Sequence, residues 1–238
     1  MGLFDKLKKK PEADTPQWPQ PPRADTMCLV LMDRVLEDIE PAAAHLKGLF
    51  GAEAVGAEDR GHPIVSSFPV TIEGLEFWVS YLAMPVPPDT ADIATAAKYA
   101  LLLSEEEKAA FAGHRSFWML AQKGGGTSLA EKRRACWVFS LLCAALMELE
   151  GPVGATPVSR GGLLISRRHY LQQREMMEGK TWDNKDGFFP APLWVWVYGT
   201  TSDSGKPVIQ PQGLDDFGLR ELGFFDPETP VNELLDLL

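Results

Sequence analysis

The stretch from Ser128 to Glu150 constrains this chain more than any other. Its middle carries Cys136, Trp137, Val138, Phe139, Leu141, Leu142, Cys143, Leu146 and Met147. At 3.6 residues per turn, those side chains point to nearly every side of a helix. A helix that is apolar all round must be enclosed, so this one is predicted to be the central helix of a packed core. The uncharged apolar run within it, Ala135 to Met147, is thirteen residues long. A membrane-spanning helix needs about 20, so no stable membrane insertion is expected.

Cys136 and Cys143 lie two turns apart on this helix. Two turns rise about 10.5 Å, too far for a disulfide. With Cys28 they make a sparse, odd-numbered set inside apolar runs. Such a set reads as reduced core thiols of a cytoplasmic protein. The first ten residues lack the long apolar stretch of a signal peptide, which fits the same compartment.

Residues 1–26 are predicted to be a disordered, proline-rich tail. Lys8, Lys9 and Lys10 are followed by Pro11, Pro16, Pro19, Pro21 and Pro22, a composition that favours extended, solvated backbone. Residues 27–238 are read as one α+β domain, with possible halves at 27–122 and 123–238. Met27 to Met32 reads as a buried strand. A helix follows between Val35 and Leu49, beginning or kinking at Pro41. Ile64 to Ile72 and Leu75 to Met84 read as strands joined by a Glu73-Gly74 turn. Asp89 or Thr90 can cap a helix through Ile93, Ala97 and Leu101. Ser104 and Glu107 form a capping box for the next helix. Arg115 to Gln122 reads as another strand.

That order, β-α-β-β-α-β, is the order of a ferredoxin-like unit. The fold predicted is therefore α+β: a ferredoxin-like unit extended by further helices and a C-terminal β-hairpin, all on one mixed sheet. The later elements are the central helix, a strand from Val153 to Val158 and a helix from Ser166 to Met177. The hairpin runs from Leu193 to Tyr198 and back through Val208 and Ile209. A further strand near Phe217 to Phe225 and a short acidic helix from Val231 to Leu238 close the chain.

Few motifs carry chemistry. Gly124, Gly125, Gly126, Thr127 and Ser128 sit between a strand and a helix N-terminus, where glycines let backbone N–H groups approach an anion. They are the anion-binding candidates. A full phosphate loop needs Lys directly before the Ser/Thr, and Gly126 stands there; an N-capped connection, with Glu131 three residues after Ser128, is the competing reading. The histidines His45, His62, His114 and His169 are dispersed, with no metal-ligand spacing. His114, just before a strand, could be a general base or a hydrogen-bonded structural residue. The run from Trp182 to Gly187 fails as a calcium loop, because Trp182 and Leu193 would occupy ligand positions. Arg160, Arg167, Arg168, Arg174, Lys180 and Lys185 form a basic set interleaved with Glu175, Glu178, Asp183 and Asp186. This reads as a solvated, salt-bridged face rather than a nucleic-acid site. Trp194 and Trp196 read as core residues on one face of a strand, or as partner anchors if exposed. No catalytic residue, metal or cofactor is implied.

Two stretches together carry a resemblance. One is Met84-Pro85-Val86-Pro87, followed by a helical segment and His114 ahead of Phe117-Trp118-Met119-Leu120. The other is Gly213-Leu214-Asp215-Asp216-Phe217-Gly218-Leu219-Arg220-Glu221-Leu222. Over residues 27–225 the chain resembles the bacterial domain-of-unknown-function family numbered 4261. The resemblance implies an α+β fold without an assigned activity. It marks His114, Gly213, Phe217, Gly218 and Glu221 as shared positions. The threonine expected before Gly213 is replaced by Gln212.

Charge shapes the functional expectation. The formal net charge is −10, which argues against broad nucleic-acid binding. The last 26 residues hold Arg220 against Asp215, Asp216, Glu221, Asp226, Glu228, Glu233 and Asp236, more than half of that net charge. The expectation is a non-catalytic protein-binding or accessory module, immunity-like or secretion-accessory, with a basic partner surface favoured. The alternative is a small-anion sensor or enzyme built on the loop at 124–128. A third reading is peripheral membrane contact through Leu3, Phe4 and Leu7. The oligomeric state is left open.

Overall fold

The computed structural model describes residues 27–62, 65–124, 128–160, 162–184, 187–201, 207–214 and 217–218. The protein is α+β. Among the described residues, seven strands form one sheet in the order β2-β3-β4-β5-β1-β6-β7. These strands are β1 (Met27–Met32), β2 (Asp59–His62), β3 (Val65–Ile72), β4 (Leu75–Leu82), β5 (Ser116–Gln122), β6 (Pro152–Pro157) and β7 (Ile165–Ser166). The helices are α1 (Glu40–Phe50), α2 (Ile93–Tyr99), α3 (Glu105–Ala112), α4 (Leu129–Met147) and α5 (Arg167–Met177). A hairpin of β8 (Trp196–Thr201) and β9 (Pro207–Gln212) makes a separate two-stranded sheet.

Local sequence explains most boundaries. α1 starts with Pro41 in its first turn, where a missing N–H costs nothing. The β3–β4 turn places Glu73 at φ 52° and Gly74 at φ 75°. Two successive left-handed residues are what a tight hairpin turn requires. Ser104 and Ser128 each form a reciprocal capping box, with Glu107 and Glu131. α2 is capped by Asp92, whose carboxylate accepts from Thr95 N–H at 3.0 Å. Asp89 and Thr90 do not cap it, because Thr90 closes a turn on the Pro87 carbonyl.

Strand alternation splits the core in two. Cys28, Val30 and Met32 of β1, Trp118 and Leu120 of β5, and Phe77, Val79 and Tyr81 of β4 face α1, α4 and α5. Leu29, Leu31 and Phe117 face α2 and α3, against Ile93, Ala97, Leu103 and Phe111. From Ala135 to Met147, every residue of α4 except Leu141 is buried. The sheet covers one side of α4. The segment 188–194 covers another, with Phe188 edge-on to Trp137 at 6.2 Å and Trp194 edge-on to Phe139 at 5.8 Å. This cover explains a helix apolar all round.

The ferredoxin-like arrangement differs from the observed topology. In that unit the first strand lies between the third and the fourth. Here β5 lies between β4 and β1, and the other edge of β1 is taken by β6. The physical reason is that β1 is buried along almost its whole length. Its second edge needs a hydrogen-bonding partner, and that partner comes from beyond α4. β5, α4 and β6 thus form a crossover that straddles β1. The sheet is also not mixed: every strand pair in it is antiparallel. The C-terminal hairpin does not join it, because β7 occupies the outer edge of β6. The hairpin docks instead through Trp196, which packs against the α4 side of the core. Edge strand β2 has no apolar alternation in Asp59-Arg60-Gly61-His62, so periodicity missed it. The expected elements at 1–26 and 219–238 lie outside the described residues.

Candidate functional site

His114 sits between α3 and β5. Its Nε2 accepts from the Val86 N–H at 2.9 Å. Its Nδ1 lies 2.8 Å from the Phe111 carbonyl. An acceptor at Nε2 requires the proton on Nδ1, which then donates to that carbonyl. Burial pushes the imidazole below its ordinary value of 6.5, against the raising effect of the Phe111 carbonyl. The ring is thus held neutral with both nitrogens engaged, which suits a clasp and leaves no lone pair for a substrate proton. The clasp joins the two parts of one stretch of the resemblance, Met84-Pro85-Val86-Pro87 and His114.

The glycine loop lies at the other end of β5. Gly124 takes φ 78°, while Gly125, Gly126 and Thr127 lie outside the described residues. Ser128 donates from its N–H at 2.9 Å and from Oγ at 2.8 Å to Glu131 Oε2. A carboxylate therefore already occupies the position that an anion would take at the first turn of α4. An incoming anion would have to compete with Glu131. His114 and Gly124 flank opposite ends of a seven-residue strand, so the structure does not bring them together.

Gly213, Phe217 and Gly218 pack around the cover of α4. Gly213, at φ 111°, places its Cα against the Trp194 carbonyl and the Arg160 guanidinium; a Cβ there would come within 2.8 Å of both. Arg160 Nε donates to that same carbonyl at 3.1 Å. Phe217 stacks on Phe189 at 4.5 Å, and Gly218 abuts Leu129 of α4. These three positions serve close packing. Glu221 lies outside the described residues.

Of the basic set, Arg160, Arg167, Arg168 and Lys180 make separate contacts within the fold, and Lys185 lies outside the described residues. Arg167 donates to the Met147 and Leu149 carbonyls at 2.7 and 3.1 Å, closing the C-terminus of α4. Arg168 lies 3.7 Å from Glu107. Lys180 lies over the Phe188 ring at 4.2 Å. Trp194 precedes the strand rather than lying in it. It is buried, and its indole N–H donates to Ser140 Oγ at 2.8 Å. All three cysteines are free and buried. Burial pushes the Cys143 thiol and the Tyr170 phenol facing it well above their ordinary values. A protonated, enclosed thiol is a poor nucleophile. Among the described residues, no cluster of His, Cys, Asp and Glu has a metal-binding arrangement, and no helix is long and apolar enough to cross a membrane. A cavity between α2 and β6, lined by Ile93, Ala96, Thr156 and Leu164, has a volume of about 60 Å³. Ligand pockets run to roughly 300–1,000 Å³.

The feature that sequence reading missed is a strip on the α2–α3 side of the sheet that lies outside both core clusters of the described residues. Register aligns Pro69 with Trp78, Trp78 with Ala121, and Ala121 with Met27. The alternation that buries Cys28, Phe68, Phe77 and Leu120 on one side sends these four to the other. Met27, Trp78 and Ala121 belong to neither core cluster. Trp78 is 44% exposed. The same layer also exposes Tyr99, Leu101 and Leu102 beside the buried Leu103. The available signal was β4 itself, where Trp78 alternates with Phe77 and Val79 and shares its face with Glu76 and Ser80. A large aromatic on the polar face of an alternating strand marks a surface worth testing.

No known family, curated protein or solved structure matches this chain.

Proposed function

We propose that the protein is a non-catalytic binding module of a bacterial cytoplasm, acting through protein–protein contact in an immunity-like or secretion-accessory role. The resemblance to the domain-of-unknown-function family numbered 4261 belongs to this reading. The observation that carries it is the apolar strip centred on Trp78, which is 44% exposed. Exposed aromatics anchor interfaces because they bury much area at little entropic cost. The acidic residues from Asp215 to Asp236 favour a partner with a basic surface, since charge complementarity steers association. The reading is tested by co-purification of the full-length chain from its native cell, washed at low and at high salt. A stable partner whose recovery falls with salt is the expected result. No stoichiometric partner in either wash would overturn the reading.

A further inference from the structure

The connection between α2 and α3 exposes three large apolar residues within four positions. Tyr99 is 68%, Leu101 50% and Leu102 59% exposed. The other exposed large apolar residues among those described, Val35, Leu49, Trp78, Leu129 and Met176, each stand alone in the chain. We propose that this tip is a two-fold contact between two copies of this chain. The proposal does not depend on the Trp78 strip and adds a second binding surface.

Two observations support it. The first is that the tip is held out by the core beneath it. Ile93 and Ala97 of α2 are buried before it, and Leu103 and Phe111 after it, all in one cluster. The Ala100 N–H donates to the Ala97 carbonyl at 3.3 Å, and the capping box of Ser104 with Glu107 starts α3 directly after Leu103. Apolar groups fixed in advance lose little freedom on association, so they suit an interface.

The second observation is charge. Glu105 is matched by Lys108 at 2.8 Å, and Glu107 by Arg168 at 3.7 Å. Lys98 and Glu106 are exposed, and neither has an ion pair among the described residues. The Lys98 ammonium lies over the Tyr99 ring at 5.3 Å, so its charge sits on the apolar tip itself. The patch thus carries one unmatched charge of each sign, one before and one after Tyr99–Leu102 in the chain. A strongly basic or acidic partner gains nothing from charges that cancel. A second copy does gain. A two-fold interface sets the same patch against itself, so residue i meets j and j meets i. Lys98 of each copy then faces Glu106 of the other, around packed Tyr99, Leu101 and Leu102. The patch is small, so the dimer is a weak, reversible one.

Sedimentation equilibrium of the full-length chain over micromolar concentrations tests this. A reversible monomer–dimer equilibrium is the expected result. Leu102→Ser should leave only monomer, folded by circular dichroism. Lys98→Glu and Glu106→Lys should each weaken the dimer about tenfold, since each sets two like-charged pairs across the axis. Mixing these two variant chains in equal amounts should restore wild-type affinity, because the mixed dimer again sets opposite charges at both contacts. A wild-type chain that stays monomeric overturns the proposal. So does a dimer that Leu102→Ser leaves intact, which would place the contact on another surface. So does a mixture that associates no more tightly than either variant alone. The reading of the Trp78 strip fails separately, by a Trp78→Ser chain that still recovers its partner.

Discussion

On the α4 side of the sheet, Phe68, Phe77, Trp118 and Phe139 are at most 1% exposed, and segment 188–194 closes over the central helix. On the α2–α3 side, two short helices cover β1, β5, β6 and the Ser80–Leu82 end of β4, while Trp78, further along β4, stands 44% exposed. The two sides share strands, so the contrast does not come from strand composition alone. It comes from how much apolar surface the connecting helices bring. α4 supplies a nineteen-residue helix with twelve buried residues; α2 and α3 bury three between them. One side holds the fold together, and among the described residues the other leaves Trp78 half exposed.

Substitutions should separate the two sides by size of effect. The largest is expected from Phe139→Ala, which empties the space against Phe77 and Trp194. A loss of about 3–5 kcal/mol in urea unfolding is expected, as for other buried aromatics. A loss below about 1 kcal/mol would mean that the α4 side is not the stabilising one. Gly154→Ala is next. A Cβ at this position in β6 would strike the Phe111 ring and the Ile165 carbonyl, for a cost of about 1–3 kcal/mol. Wild-type stability in that variant would show that α3 does not press on β6.

His114→Phe should cost about 1–2 kcal/mol by leaving the Val86 N–H and the Phe111 carbonyl unpaired. The clasp also has a pH signature. Because the native imidazole is held below 6.5, its contribution is complete above 6.5 and is lost as pH falls through the lower native value. Urea midpoints of wild type should therefore fall across mildly acidic pH more steeply than those of His114→Phe. Parallel curves would contradict a neutral, engaged ring. Ser128→Ala should cost about 1 kcal/mol through loss of the cap on α4. Trp78→Ser removes a side chain that is 44% exposed and should cost about 1–3 kcal/mol, less than Phe139→Ala.

Capping boxes, the Glu73-Gly74 turn and the enclosure of α4 were legible in the sequence because each depends on residues close together in the chain. The sheet order was not. Whether β5 or β1 lies beside β4 depends on which strand satisfies the second edge of β1, and that strand, β6, is more than a hundred residues further along. The hairpin was legible as a hairpin, but its separation from the main sheet depends on the two-residue β7, too short to leave a pattern. His114 was visible as a lone histidine, yet its role came from a backbone N–H twenty-eight residues earlier. The strip escaped for a related reason. Its four residues come from four strands, and only register brings them into one row.

The measurement that tests the contrast most directly is partner recovery by the Trp78→Ser chain beside wild type, with urea midpoints determined on the same preparations. The expected result is loss of the co-purifying partner from a chain that stays folded, with a midpoint shift smaller than that of Phe139→Ala. Equal recovery from both chains would contradict the assignment of binding to the Trp78 side of the sheet.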